Sequence, residues 1–275
     1  MIFEKIDKSK IVEQNIQKTV ALEMVDAKRM AVIYKRAISE LSQKLSESRP
    51  GSFTEARMKV VLGQLETTLA AINARLSKKA FDSASILARS ASQDSIEELN
   101  TLEEAFRGVH TPIPFGETVI ALDKNQYLLN RFIASLEAYN RSIRADIQRN
   151  LTQSLVARET YNQATKRLSI ALSELQEWKV ARIARTELHG IYNSSKILAM
   201  GQIKEKFIPK LMKALVHPMD SRTADDSKYL KDLNPIIPID SFFEYTWNDK
   251  KRRFLSPPSR PNDRAVVVPV DESWK

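Results

Sequence analysis

"IQKTVALEMVDAKRMAVIYKRAISELSQKL", residues Ile16–Leu45, decides the fold class. Its apolar or small residues recur at Ile16, Val20, Met24, Ala27, Ala31, Tyr34, Ile38, Leu41 and Leu45. After the first step the spacing alternates four and three, which is the heptad seam of packed helices and not the alternation of a strand. "RPGS" at Arg49–Ser52 ends the helix, and "SFTE" opens another, with Ser52 and Glu55 at the spacing of a capping box. The seam resumes at Met58, Leu62, Leu65, Leu69, Ile72 and Leu76. Two long helices across a short Pro-Gly break predict an antiparallel helical hairpin. At about 38 residues the first helix would be roughly 55 Å long, so the expectation is elongated.

Further along, "SASILARSASQDS" (Ser83–Ser95) thins the apolar pattern and predicts an interruption. The helix resumes with "IEELNTLEEAF" and stops at "HTPIPFG", where Pro112 and Pro114 enforce a break. A third seam carries Leu129, Ile133, Leu136, Asn140, Ile143 and Ile147; a lone Asn in a seam fixes register. Leu168, Leu172, Leu175 and Trp178 continue the pattern, and the helical signal runs to about Leu215. Beyond it, "IIPIDSFFEYTW", "RRFLSPP" and "RAVVVPV" are short strand candidates. The reading is a mainly α chain: an elongated helical hairpin or bundle over residues 1–175, followed by a small α+β C-terminal module over 176–275.

Composition narrows the function. The chain of 275 residues has no cysteine, which excludes a disulfide framework and thiolate metal sites. No run approaches the roughly 20 apolar residues of a membrane span, and "MIFEKIDKSK" lacks a secretory h-region, so a soluble intracellular protein is expected. The net charge of +9 favours polyanions. It is regional: Lys179, Arg182, Arg185, Lys196, Lys204, Lys206, Lys210 and Lys213 outnumber Glu177, Glu187 and Glu205 between Leu175 and Lys213.

In "IARTELHGIYNSSK" (Ile183–Lys196), Arg182, Arg185, His189, Asn193 and Lys196 share one helical face, and Ala184, Leu188, Ile191, Ser195 and Leu198 share the other. Spacing alone reads this as an amphipathic helix with a solvated basic face. Catalytic motifs are missing: there is no HExxH, no GxGxxG, no GxxxxGK[ST] and no Ser-His-Asp set in recognisable context. A metal set from His189, His217, Asp220, Asp225 and Asp226 lacks diagnostic spacing. The expectation is therefore no catalytic residue, no metal and no cofactor. For phosphate contact, the candidates are Lys179, Arg182, Lys196, Lys204 and Lys206 on the helix, with Lys250, Lys251, Arg252 and Arg253 in "DKKRRF".

Three segments carry a resemblance. "ARIARTELHGIYNSSKILAMGQ" (Ala181–Gln202) resembles the "ARTE…N" helix of the Mu F-like phage head morphogenesis proteins, the minor head or minor capsid proteins of tailed phages. "LMKALVHPMDSRTADDS" (Leu211–Ser227) is similar to that family's "D-x-R-T" segment, and "PPSRPNDRAVVVP" (Pro257–Pro269) to its closing "P-x-N-C-R-C…P" segment. Arg185, Thr186, Glu187 and Asn193 match the first; Asp220, Arg222 and Thr223 the second; Asn262 and Arg264 the third. The chain departs from the family pattern at Ser227, where relatives often have His, and at Asp263 and Ala265, where they often have Cys. We expect the matching residues to form an ion-pair and hydrogen-bond clasp joining helix, loop and last strand.

The resemblance implies a non-enzymatic virion protein lying inside the capsid near the portal and present in host cytoplasm during assembly. The implied partners are the portal protein, the major capsid or scaffold protein, and double-stranded DNA bound without sequence preference. Two rival readings are an ADP-ribosyltransferase-like or other toxin-related enzyme, because "RTE" is superficially similar to an Arg–Ser–Glu signature, and a non-specific DNA-binding helical scaffold.

Overall fold

A computed structural model describes residues 6, 9–45, 51–108, 126–173, 177–218, 223–233, 235–260 and 263–274. Among the described residues six α-helices and five short strands follow in order: α1 Lys10–Leu45, α2 Glu55–Arg107, α3 Gln126–Val156, α4 Tyr161–Ser173, α5 Glu177–Lys206, β1 Leu211–Val216, α6 Asp225–Leu233, β2 Ile237–Pro238, β3 Phe243–Trp247, β4 Lys250–Phe254 and β5 Val266–Asp271. The chain is mainly α with a small C-terminal β part, as the seams predict. Among these helices none is long and apolar enough to cross a membrane. The chain divides into two compact units, one of Met1–Val25, Asp82–Leu129 and Arg185–Lys275, the other of Asp26–Phe81 and Asn130–Ala184.

The second unit is the seam read from the sequence. Ala27, Ala31, Tyr34, Ile38 and Leu41 of α1, and Leu65, Leu69, Ile72 and Leu76 of α2, are buried. Leu136, Asn140, Ile143 and Ile147 of α3 bury with them, and the Asn140 amide donates to Asn73 Oδ1. Two local expectations shift. The cap of α2 is Thr54, whose hydroxyl accepts from Arg57 N at 3.4 Å, while Ser52 bridges to Thr160. A turn at Ala157–Thr160, with Arg158 in the left-handed region at φ 53°, separates α3 from α4.

In the first unit, α2 runs without the interruption expected at Ser83–Ser95. Serine thins an apolar pattern without breaking a helix when it is buried against its own backbone. Ser92 and Ser95 donate to the carbonyls of Ala88 and Ala91, at 3.2 and 2.7 Å. Ala84, Ala88 and Ala91 beside them are at most 2% exposed, so this face packs closely. Conversely, the helical signal expected to Leu215 stops at Lys206, ahead of Pro209. Leu211–Val216 is instead the central strand of an antiparallel sheet ordered β2-β1-β5, with Val216 opposite Val266 and Leu211 opposite Asp271. β3 and β4 form a separate hairpin.

The core of this unit is ionic as well as apolar. Lys196 Nζ meets Glu98 Oε2 at 2.5 Å, and both side chains are wholly buried. Asn15 donates to the other Glu98 oxygen at 3.2 Å. Next to them Asp94 accepts from the Tyr192 hydroxyl at 2.7 Å, from Ser90 at 3.2 Å and from Lys18 at 3.1 Å. Burial pushes the Glu98 carboxyl up, and the Lys196 ammonium and Asn15 amide pull it back. A pair so placed selects one arrangement more than it adds stability. Accordingly, Lys196→Met should cost about 3–5 kcal/mol in denaturant unfolding by stranding Glu98, and adding Glu98→Leu should recover most of the loss. A double variant as unstable as the single one would contradict this.

Candidate functional site

Helix α5 carries the "ARTE" motif, and from Leu188 to Met200 every residue but Ser194 and Leu198 is buried. The face read as solvated is an inner one: His189 is 1% exposed, and Asn193 and Lys196 are fully buried. Lys196 is therefore withdrawn from the phosphate-contact set, because its ammonium is spent on Glu98 inside the core.

What α5 meets is the edge of β5. In a strand, alternate residues present N–H and C=O to the same side, so Ala265, Val267 and Pro269 face away from β1. Pro269 has no N–H to satisfy, as suits an edge. Two of the other groups are met by α5: Val267 N donates to Asn193 Oδ1 at 2.8 Å, and Ala265 O accepts from Asn193 Nδ2 at 3.3 Å. His189 Nε2 lies 2.7 Å from the same carbonyl, and His189 Nδ1 lies 2.9 Å from Glu23 Oε1 of α1. With a carboxylate at Glu23, both ring nitrogens face acceptors, so both must donate and the ring is an imidazolium. Burial alone would lower the His189 pKa; the Glu23 carboxylate, the Ala265 carbonyl and Asp263 raise it to about 9. Asp263 is itself buried. That burial opposes ionisation, but the N–H groups of Ser259 and Ala265, and then His189, hold its carboxyl below the usual range.

One turn before His189, a cleft of about 310 Å³ opens, lined by Val20, Glu23, Met24, Arg185, Thr186, Asp263 and Arg264. It brings together Arg185 and Thr186 of the first motif and Arg264 of the third. The buried Arg185 Nε meets no acceptor among the described residues. Glu187 is partly buried on α5 outside this lining. Thr223 bonds locally, its hydroxyl donating to Pro218 O at 2.5 Å. Asp220, Arg222 and Asn262 lie outside the described residues.

Sequence reasoning missed Glu23, His189 as a bridge, and Arg260. The seam placed Met24 inward, yet Met24 is 51% exposed and Glu23 is 4% exposed. An acid in an apolar register is the signal for a buried pair, and His189 is its partner. Arg260 donates to Asp226 Oδ2 at 2.6 Å and to Ser227 Oγ at 2.7 Å, tying α6 to the segment before β5. Of the metal set, Asp226 is engaged there, Asp225 binds Lys228 at 2.8 Å on the surface, and His217 is buried with its pKa lowered mainly by that burial. No group of three or more His, Asp or Glu among the described residues is placed to hold a metal ion.

The other basic candidates stand at the surface or partly so. Lys179 and Arg182 approach the ring of half-exposed Trp178, at 5.9 and 4.8 Å, and Lys204 lies 3.5 Å from Asp240. Lys206 and Lys250 are exposed and Arg252 is partly buried. Lys251 and Arg253 flank Glu244 at 3.1 and 3.0 Å. No protein-family model matches the chain, and no curated protein and no solved structure matches it.

The imidazolium gives a pH signature. The folded His189 pKa of about 9 lies above the ordinary 6.5, so its contribution is fully present below pH 6.5 and is lost as pH rises through 9. Lys213 works the opposite way in the same window. It is buried, with Nζ donating to Leu255 O at 2.8 Å, and burial lowers its pKa to about 8 against the pull of Asp240. The difference between wild type and His189→Gln isolates the histidine. The wild type should exceed the variant by on the order of 3 kcal/mol near pH 6, and the gap should narrow by about pH 9.5. Denaturant unfolding at both pH values measures it; a pH-independent gap would refute the charged ring.

Proposed function

We propose that this chain is a minor capsid, or head morphogenesis, protein of a tailed phage, incorporated in the virion near the portal. One observation supports the reading above others. The segments similar to the "ARTE…N" helix and the closing strand segment of that family lie 76 residues apart at His189 and Ala265, and they meet side chain to backbone. A chance likeness of two short motifs gives no reason for them to share a strand edge and a cleft. The portal protein is the proposed principal partner, with the major capsid or scaffold protein secondary, and the role is assembly, without catalysis.

A second reading, non-specific DNA binding, is favoured by the β3–β4 hairpin. Lys250, Lys251 and Arg253 are exposed there, against Glu244 and Asp249, and phosphates would be neutralised without base contacts. The two readings separate by experiment. Mass spectrometry of purified particles should find the chain at a few copies per portal, and it should co-purify with the portal ring. Absence from particles, together with salt-sensitive DNA binding by the isolated chain, would replace the first reading with the second.

A further inference from the structure

We infer that the helical unit, Asp26–Phe81 with Asn130–Ala184, is a binding surface for the phosphate backbone of double-stranded nucleic acid. This rests on the DNA-binding reading above and moves its site from the β3–β4 hairpin to the helices. The division of the chain separates its charge. Of 43 Lys and Arg and 34 Asp and Glu, this unit holds 20 and 10, a net +10, and the other unit holds 23 and 24, a net −1. The bases of α5 from Arg185 onward are offset within that other unit, by acids such as Asp82, Glu97 and Glu104 of α2. A charge asymmetry of this kind between parts of one chain points to a polyanion.

The cations of the helical unit are also available. Five of its acids are paired within it: Asp26 with Lys79 at 2.7 Å and Arg29 at 3.4 Å, Glu55 with Lys59 at 3.1 Å, Asp146 with Arg149 at 3.2 Å, Glu66 with Arg144, and Glu159 with Arg167. By contrast, Lys28 and Arg36 of α1, Arg75 and Lys78 of α2, Arg141 of α3 and Lys166 of α4 are exposed and make no ion pair or hydrogen bond among the described residues. The Asp26–Lys79 pair sets Lys28 and Lys78 at one end of the α1–α2 pair, with Arg75 one turn further along. Arg141 follows Asn140, whose amide meets Asn73 of α2, so it stands near the level of Arg75. These charges run along the helices and are not gathered at one point.

The rest of the surface selects the occupant. Its exposed large apolar side chains are spread over four helices, as at Val32, Val60, Val156 and Ile170. So spread, they do not make the apolar centre on which a protein interface is built. Single-stranded bases need open aromatic faces to stack on, and half-exposed Trp178 already has Arg182 over its ring at 4.8 Å. A duplex instead presents one phosphate charge per roughly 1.7 Å of its axis, which cations set along a helix can neutralise without touching bases. The β3–β4 hairpin is the weaker surface: Lys251 and Arg253 share Glu244 at 3.1 and 3.0 Å, and Asp249 adjoins Lys250.

Fluorescence anisotropy of the full chain with two labelled duplexes of unrelated sequence, and with a single strand of one of them, tests this. The two duplexes should bind within about twofold of each other, and the single strand more weakly. Raising the salt from about 50 to about 200 mM should lower duplex affinity by about tenfold or more. The helical variant Arg36→Gln/Arg75→Gln/Lys78→Gln should weaken binding by about tenfold and flatten the salt slope by about two to three. The hairpin variant Lys250→Gln/Lys251→Gln/Arg253→Gln should weaken it less. Arg141→Gln with Lys166→Gln gives an independent helical set should the first variant lose its wild-type melting. No duplex binding at low salt would remove both the DNA-binding reading and this inference. Binding that the hairpin variant weakens as much as the helical ones would keep that reading and overturn the inference. Preference for polyglutamate or for phosphatidylserine vesicles over duplex would also overturn it, giving the surface to an acidic protein or a membrane.

Discussion

A buried strand edge is the constraint on which the C-terminal unit depends. β5 ends the three-stranded sheet, so the peptide groups of Ala265 and Val267 have no strand beside them. Because the strand is buried along its length, water cannot serve them. Helix α5 does so with two side chains one turn apart, Asn193 on the Val267 N–H and His189 on the Ala265 carbonyl. Covering an edge in this way also removes it as a template for pairing with another chain. His189 can serve only while its other nitrogen is matched, and Glu23 of α1 supplies that match. Three segments distant in sequence are fixed by one protonated ring.

Much of the helical frame was legible. The alternation of four and three in α1, α2 and α3 is a direct record of which residues face a neighbour, and Tyr34, Leu65 and Leu136 are buried where it puts them. The record fails where the buried partner is polar. Glu23 takes the inward position that the apolar rule gave to Met24, because the group opposite is an imidazolium. Ser92 and Ser95 look like a weakened helix until their hydroxyls are seen on carbonyls of the preceding turn. Lys196 looks like surface because lysine usually is surface, and here Glu98 cancels its charge in the core.

The motif residues divide by task. Resemblance grouped Arg185, Thr186, Asn193 and Arg264 as one clasp, and spacing cannot separate a residue that joins elements from one that lines a space between them. Geometry separates them: Asn193 spends its amide on the backbone of β5, while Arg185 presents a guanidinium to a cleft. In the proposed assembly protein this puts a fold-holding edge and a cleft side by side on one helix. Glu23 and Asp263 belong to both, lining the cleft and facing the His189 ring.

The charge state of His189 tests the account most directly. Nitrogen-15 NMR of the histidine-labelled full chain at about pH 7.5 reads each ring nitrogen separately, with His189→Gln giving the assignment. The account predicts protons on both Nδ1 and Nε2 of His189, with the resonances of a charged ring, at a pH where an ordinary histidine is neutral. A ring with one unprotonated nitrogen at that pH would contradict it.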